Sequence, residues 1–319
     1  MVIYRAPKNA AHLPIVDLAD TQSKSDERQR AATNIRAACR DTGFMFVRNH
    51  GIGQPIIDRA FTESRRFFSQ SESEKLKVRA RKGTNGYDPV ETQALDPTSP
   101  ADFKESYTSS MPGLPGTPDH AENLWPETLP GFREGIQAYH RAVQELALHI
   151  SRLIALSVDM PLNYFDRFFH NQKASLRLLR YPPMPGGPRQ NQLGAGAHTD
   201  FGWITVLTQD EHGGLEIETA SGDWIAVEPV AGTFVVNLGD LVPAWTNGLY
   251  HSSLHRVLNK KPGIDRYSIV LFFNPRYETI IETIPTCLAP GETPKPPFVS
   301  GEHRRARALE AMAKRKSAS

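Results

Sequence analysis

Three side chains in the second half of the 319-residue chain, His198, Asp200 and His255, are of types that bind metal ions. In the run His-Thr-Asp, the first and third residues of a strand point to the same face, so an imidazole and a carboxylate are presented together. His255 lies in another predicted strand and reaches this pair only if the sheet closes or folds over. Two imidazoles and one carboxylate on one face of a metal leave its other face open, which is the ligand set of non-haem Fe(II) oxygenases. The three residues therefore predict an iron site at which a co-substrate and O2 could bind.

A second pair of polar residues, Arg266 and Ser268, follows in a strand that is otherwise apolar. A guanidinium beside a hydroxyl suits a buried carboxylate, which it binds through charge-assisted and often bidentate hydrogen bonds. Burying the arginine without such a partner would be costly. We therefore expect an anion-binding site here; the alternative is an arginine at the exposed end of its strand.

Short strands must position both groups, because apolar residues alternate with polar ones from residue 174 onward. Glycine-containing turns separate these runs, and no helical pattern intervenes. The pattern predicts an antiparallel sandwich or barrel and argues against a doubly wound parallel sheet. The expected strands are 176–181, 203–208, 215–218, 224–227, 233–237, 253–257 and 267–273.

The first half of the chain has helical periodicity, which predicts helices at 26–41, 56–68 and 131–158, the last with a continuous apolar stripe. Between Lys82 and Trp125 the periodicity is weak, and loops of that length tend to be binding loops or lids. The expected organisation is one catalytic unit over 1–319, with an N-terminal helix and strand region carrying substrate loops (13–125), a buttressing helix (131–158), a β core (173–277) and a C-terminal helix (300–316).

The amino-acid composition argues against several classes of protein, among them nucleic-acid-binding, disulfide-rich and membrane-spanning proteins. There are 37 Lys plus Arg against 35 Asp plus Glu, a net charge of +2, so no basic surface for nucleic acid is expected. Cys39 and Cys287 lie far apart, which argues against a disulfide framework or a thiolate metal site. No apolar run approaches the roughly 18 residues of a membrane span, and no signal core precedes the first strand. We expect a cytoplasmic protein with a small-molecule partner, without nucleic acid or membrane, of unknown oligomeric state.

Taken together, these motifs resemble the iron(II)/2-oxoglutarate-dependent oxygenases. The branch most similar is the isopenicillin N synthase-like one, with plant flavonoid and gibberellin oxygenases and bacterial relatives. The matching residues are His198–Gly202, Thr205–Asp210, Gly213–Leu215, Gly222–Trp224, Val236–Asp240, Trp245–Gly248, His255–Val257 and Arg266–Ser268, preceded by Leu13–Asp17, Gly43–Gly51, Gly86–Tyr87 and Asp102–Tyr107. The resemblance covers most of the chain, in the family's order.

The resemblance implies a role for each matching residue. His198, Asp200 and His255 would bind iron, and Arg266 and Ser268 would bind the distal carboxylate of 2-oxoglutarate. Tyr181 would be a further co-substrate residue. The plant pattern Asn-Tyr-Tyr-Pro reads Leu-Arg-Tyr-Pro at 179–182 here, so the asparagine contact is lost. A similar string occurs in bacterial members, including ethylene-forming enzymes, and favours the bacterial branch.

The resemblance also implies the fold and the reaction. The fold would be mixed α/β with a mainly β core, a double-stranded β-helix (jelly roll) buttressed by helices. With Fe(II) and O2, 2-oxoglutarate would be decarboxylated to succinate and CO2, and a C–H bond of a small organic substrate would be oxidised. The chemistry would be centred on the iron, without a separate side-chain acid or base. Pocket candidates are Arg177, Phe201, Trp203, Tyr250 and Tyr107, although Arg177 could instead form a structural salt bridge and tryptophans are usually core residues.

Two alternatives stay open from the sequence. One is an oxidase of the isopenicillin N synthase type that uses no 2-oxoglutarate, with Arg266 and Ser268 binding the carboxylate of the substrate itself. The other is a non-catalytic binding protein on the same fold. The intact set of three metal-binding side chains weighs against the second alternative.

Overall fold

The computed structural model describes residues 4, 7, 9–10, 13–96, 99–111, 118, 120–170, 172–184, 192–259 and 263–318. The helices are α1 (Ser25–Asp41), α2 (Gln54–Phe68), α3 (Glu72–Lys77), α4 (Phe132–Ser157), α5 (Leu241–Trp245) and α6 (Ser300–Ala318), with short 3-10 turns at Asp166–Phe168 and Pro285–Cys287.

The strands of the first half are β1 (Asn9–Ala10), β2 (Ile15–Asp17), β3 (Phe44–Arg48), β4 (Thr84–Asn85), β5 (Tyr87–Asp88), β6 (Glu105–Ser110) and β7 (Glu122–Asn123). Those of the second half are β8 (Lys173–Tyr181), β9 (Ala195–His198), β10 (Ile204–Gln209), β11 (Leu215–Glu218), β12 (Trp224–Val227), β13 (Phe234–Leu238), β14 (His255–Val257), β15 (Arg266–Asn274), β16 (Ile280–Ile281) and β17 (Phe298–Val299).

Two sheets make up the centre of the described structure. The larger has the strand order β2-β3-β13-β10-β15-β8-β6-β5, and the smaller has the order β1-β12-β11-β14-β9. Apart from the β2–β3 and β1–β12 pairs, neighbouring strands in both sheets are antiparallel. The predicted mixed α/β class with a mainly β core is confirmed.

The two sheets face each other across a buried apolar layer. Val270, Leu179 and Phe44 from the larger sheet pack in one cluster with Ile217 and Val257 from the smaller. Residues of opposite parity on the same strands, such as Leu178 and Leu271, belong to a second cluster on the other face. Because side chains alternate along a strand, one set of residues faces the interior of the jelly roll and the other faces the helices.

The helices α1, α2 and α4 cover the outer face of the larger sheet. The apolar stripe of α4 is fully or almost fully buried; it consists of Phe132, Ile136, Tyr139, Val143, Leu146, Ile150 and Leu153. Its first residue follows Gly131, whose φ of 82° lies in the left-handed region that favours glycine. The helix thus supports the sheet that carries the site.

Part of the segment between Lys82 and Trp125 forms β structure that the sequence pattern does not reveal. β6 pairs with β8 over six residue pairs, and β5 pairs with β6. The alternation is hidden because both faces of β6 carry polar residues that are buried, including Glu105 and Ser106. The carboxylate of Glu105 forms ion pairs there with Lys75 at 2.6 Å and with Arg180 at 2.6 Å. Periodicity of hydrophobic residues therefore misses this strand.

Across the described residues, no helix is both long enough and apolar enough to cross a bilayer.

Candidate active site

The pairing of β9 with β14 brings the three predicted metal-binding side chains together. His198 and His255 are register partners on these strands, and their ring centroids lie 4.2 Å apart. The Nε2 atom of each lies 3.9 Å from Oδ1 of Asp200, which follows β9. One ligand atom from each residue falls within 4.8 Å of the others. The second strand thus folds over the first, as the metal-site prediction requires.

Hydrogen bonds orient all three side chains toward one point. Nδ1 of His198 donates to the carbonyl oxygen of Gly196 at 2.7 Å, and Nδ1 of His255 donates to that of Ser253 at 3.2 Å. Because a carbonyl only accepts, each ring carries its proton on Nδ1 and keeps the Nε2 lone pair for a ligand.

Two further residues fix the carboxylate. Oδ2 of Asp200 accepts hydrogen bonds from Oγ1 of Thr205 at 2.5 Å and from Nδ2 of Asn237 at 2.7 Å. Oδ1 is thereby left to face the two imidazoles. Sequence reasoning assigned no role to Thr205 or Asn237; the signal was a polar residue inside the apolar strand 234–238.

The protonation states of His198 and Asp200 also suit a bound cation. Burial, and then the charge of His255, lower the pKa of His198 to about 3, so this imidazole is neutral near neutral pH. Burial acts to raise the pKa of Asp200, but His255, His198 and the hydrogen bonds from Thr205 and Asn237 outweigh it and hold the pKa below its ordinary value. A neutral imidazole and an ionised carboxylate are the forms that bind a divalent metal. The donor set therefore fits Fe(II), with a face left open.

A group of buried donors lies near one end of the sheet, at Arg266, Ser268 and Gln209. Arg266 is 1% exposed; its Nε donates to the carbonyl of Gly213 and its Nη2 to Oε1 of Gln209 at 2.8 Å. Nη1 of Arg266, Oγ of Ser268 and Nε2 of Gln209 are buried without a hydrogen-bond partner among the described residues. Donors left unpaired in an interior are costly, so their convergence indicates an anionic ligand.

The ring of Tyr181 packs against this donor group. Its ring lies 4.8 Å from the guanidinium carbon of Arg266, with which it pairs across β8 and β15. Gln209 pairs with Ser268 across β10 and β15, which places its side chain on the same face. Gln209 was missed because glutamine at the end of a strand is unremarkable in sequence; only the unpaired Nε2 atom marks it.

A cavity of about 600 Å³ extends from the metal-binding residues between the two sheets. It is lined by the three candidate metal ligands and by residues of several elements: Leu179 and Tyr181 of β8, Thr205 and Leu207 of β10, Val270 and Phe272 of β15, and Thr92–Leu95 and Lys104 from the N-terminal region. Arg266 and Ser268 pair with the lining residues Tyr181 and Leu179, and they lie on the same face of β15 as the lining residue Val270, so they extend this face at the Tyr181 end of the cavity.

Two of the pocket candidates line this cavity. Arg177 projects from β8, and its Nε donates to Oγ1 of Thr108 at 3.2 Å. Phe201 lies beside the metal-binding residues, with the guanidinium carbon of Arg307 5.1 Å from its ring centroid. Arg307 belongs to α6 and also contacts Asp240 at 3.0 Å, so the C-terminal helix closes one side of the cavity.

The other three pocket candidates, Trp203, Tyr250 and Tyr107, are not among the residues that line this cavity; all are fully buried in the cluster between sheet and helices. The indole of Trp203 donates to Ser151 of α4 at 2.9 Å, and the hydroxyl of Tyr250 donates to the carbonyl of Ser157 at 2.8 Å. The hydroxyl of Tyr107 donates to the carbonyl of Leu124 at 2.7 Å. Proximity to the site in the sequence did not indicate whether each ring would face the cavity or the helices.

Comparison with known proteins places the chain in a family. The profile of the 2OG-Fe(II) oxygenase superfamily matches residues 168–275. A second profile, described as non-haem dioxygenase in morphine synthesis N-terminal, matches residues 13–128. The two matches cover the β core and the N-terminal region that contributes cavity-lining residues.

Individual relatives agree with this assignment. The chain is 37% identical over 284 residues to 2-oxoglutarate-dependent dioxygenase citB of Monascus ruber, covering 84% of this chain and 86% of the relative. It is 32% identical to homoarginine-6-hydroxylase 2-ODD-C23 of Glycine max, covering 86% and 88%. These relatives are fungal and plant proteins, so the expected bacterial branch is not supported.

A solved structure shares the whole fold. It is the crystal structure of a full-length Neurospora crassa protein in complex with alpha-KG (2-oxoglutarate) and thymine, which superposes with a TM-score of 0.83 at 28% identity, covering 96% of this chain and 99% of that one. The jelly-roll core, the donor set and the relatives converge on one assignment. The chain belongs to the 2OG-Fe(II) oxygenase superfamily, and it is a dioxygenase that uses Fe(II), 2-oxoglutarate and O2 to oxidise a small organic substrate.

Proposed function

We propose that His198, Asp200 and His255 bind the iron of this dioxygenase. We further propose that Arg266, Ser268, Gln209 and Tyr181 bind the distal carboxylate of 2-oxoglutarate. The observation that carries the second assignment is the set of three buried donors without partners among the described residues. A carboxylate offers enough lone pairs to accept from all three donors, and its charge offsets that of the guanidinium.

When bound at this site, Fe(II) supplies the centre at which O2 reacts and 2-oxoglutarate is oxidatively decarboxylated. The side chains contribute orientation. Thr205 and Asn237 hold Asp200, and the carbonyls of residues 196 and 253 hold the two imidazoles. The apolar lining, including Leu207, Val270 and Phe272, keeps water away from the reacting atoms.

The whole chain is proposed to act as one catalytic unit. The cavity is lined both by the β core and by residues 92–95 of the N-terminal region, and α6 contributes Arg304 and Ala308. These contributions support substrate selection by the N-terminal loop and the C-terminal helix. Placement in the isopenicillin N synthase-like branch and a cytoplasmic location stay predictions; the free thiols of Cys39 and Cys287 accord with the location.

Anaerobic titration of the purified protein with Fe(II) and 2-oxoglutarate tests this proposal. We expect a metal-to-ligand charge-transfer band in the visible range, and release of succinate once O2 is admitted. Glutarate, which lacks only the keto group of 2-oxoglutarate, serves as the control ligand and should give no band. Absence of both the band and succinate release would favour an oxidase that binds its substrate's own carboxylate at Arg266.

A further inference from the structure

We propose that the primary substrate is a carboxylic acid and that Arg177, with Thr108, binds its carboxylate. This inference rests on the proposed binding of iron and 2-oxoglutarate in the same cavity. It concerns a different part of the wall, on β8 and β6.

Arg177 lies on the part of the cavity wall that β8 forms. Alternate residues of β8 line it: Lys173, Ser175, Arg177, Leu179 and Tyr181. Leu179 pairs with Ser268, so Arg177 lies two residues, or about 7 Å, further along the strand than the proposed co-substrate donors. In the sheet, β15 separates β8 from β10, which places Arg177 about 10 Å across from the strand that carries Thr205. A cavity of about 600 Å³ has room for a second small molecule on this face of the sheet.

The guanidinium of Arg177 has no acidic partner among the residues that the structure describes. Nε donates to Thr108 at 3.2 Å, and the guanidinium carbon lies 5.7 Å from the ring centroid of Phe272. Within this part of the chain, no carboxylate lies within ion-pair distance of it. The expected alternative, a structural salt bridge, is therefore not formed there.

The described lining of the cavity holds one acidic residue, Asp200, which faces the two histidines. Among its basic residues, Arg177 has no ion pair with a described carboxylate. Lys104 is paired with Asp102 at 2.8 Å. The wall around Arg177 is otherwise apolar, at Val270, Phe272 and Leu95. An anion with an apolar body matches this wall better than a neutral or cationic molecule does.

The donor geometry favours a carboxylate. Nε is engaged, whereas neither Nη atom of Arg177 donates a hydrogen bond to a residue that the structure describes, so both can form a bidentate bond. Oγ1 of Thr108 accepts from Nε, so its own proton can be donated to the same ligand. A carboxylate could come from the primary substrate or from the inner carboxyl group of 2-oxoglutarate, and the experiment must separate these two sources.

Isothermal titration calorimetry under anaerobic conditions, on protein loaded with Fe(II) and 2-oxoglutarate, tests the proposal. The probes are phenylacetate, cinnamate and octanoate, each compared with its neutral primary amide. We expect at least one acid to bind about 10-fold or more tightly than its amide. Arg177→Gln should abolish this preference and leave the affinity for 2-oxoglutarate within about 3-fold of the wild-type value. Arg141→Gln, an exposed arginine on α4, is the matched control and should change neither quantity.

Three results would overturn the assignment. They are the absence of any acid-over-amide preference in the wild type, its persistence in Arg177→Gln, or a loss of 2-oxoglutarate affinity of about 10-fold in that variant, which would assign Arg177 to the co-substrate. Arg177→Lys keeps the positive charge but cannot form the bidentate hydrogen bond, so it should retain only part of the acid-over-amide preference. This variant provides the test if Arg177→Gln does not fold. The charge-transfer band of the wild type is recorded first, so that failure of the proposed function is distinguished from failure of this inference.

Discussion

Arg266 and Tyr181 are paired directly across β15 and β8, and the guanidinium carbon of Arg266 lies 4.8 Å from the tyrosine ring. The ring supports the buried cation while Gly213 and Gln209 occupy two of its nitrogens. The third nitrogen, Nη1, is left to bind a ligand. The relationship explains how a charged residue is tolerated inside the sheet before the co-substrate arrives.

Replacing Arg266 should weaken co-substrate binding selectively. Because charge-assisted hydrogen bonds to a buried carboxylate are lost, Arg266→Gln should raise the Kd for 2-oxoglutarate about 100-fold, measured from the charge-transfer band. Binding of Fe(II) should persist, since Arg266 contacts none of the three metal-binding side chains. Equal 2-oxoglutarate affinity in wild type and variant would contradict the assignment.

Gln209→Glu tests the donor that sequence reasoning missed. The new carboxylate can still accept from Nη2 of Arg266, but its second oxygen replaces the Nε2 donor and repels the co-substrate. We expect the Kd for 2-oxoglutarate to rise about 10-fold while the melting temperature changes little. Gln29→Glu, on the exposed face of α1, introduces the same charge far from the site and should have no effect. An unchanged Kd in Gln209→Glu would remove this residue from the site.

Asn237 should control metal affinity through Asp200. Asn237→Ala leaves Oδ2 of Asp200 with the hydrogen bond from Thr205 alone, which loosens the orientation of the carboxylate. The expected loss of Fe(II) or Mn(II) affinity is about 10- to 100-fold, measured by competition with a chelating dye. Asn163→Ala at an exposed position provides the control. If both variants bind metal equally well, orientation of Asp200 does not depend on Asn237.

Stability should fall with acidification through His140 of α4. Burial, and then the charge of Arg141, lower the pKa of His140 from its ordinary 6.5 to about 4. As the pH falls below 6.5, the unfolded chain binds a proton that the folded chain excludes, so stability decreases. Between about pH 7 and pH 5 this group should lower the free energy of unfolding by about 2 kcal/mol.

Urea denaturation of the wild type and of His140→Leu at a series of pH values measures this contribution. The variant should lose less stability on acidification than the wild type does, because its unfolded state no longer takes up that proton. Parallel pH profiles for the two proteins would show that His140 has no such role.

Much of the candidate site could be predicted from the sequence, because the chemistry proposed for it restricts residue types. A facial iron site requires two imidazoles and a carboxylate, and a buried arginine with a neighbouring hydroxyl indicates a carboxylate ligand. His198 with Asp200, and Arg266 with Ser268, each lie two residues apart, and alternation along an extended chain places such side chains on the same face. The strands 215–218 and 224–227 were predicted with their observed bounds for the same reason.

By itself, the sequence therefore determined which side chains could bind metal and co-substrate, and where most strands lie. The tertiary structure decided which residues meet across strands: His255 opposite His198, and Gln209 beside Ser268. It also decided that Trp203 and Tyr250 face the helices whereas Arg177 faces the cavity. Alternation defines two faces of a strand but not which one is covered by helices, since that choice depends on packing between segments far apart in the chain.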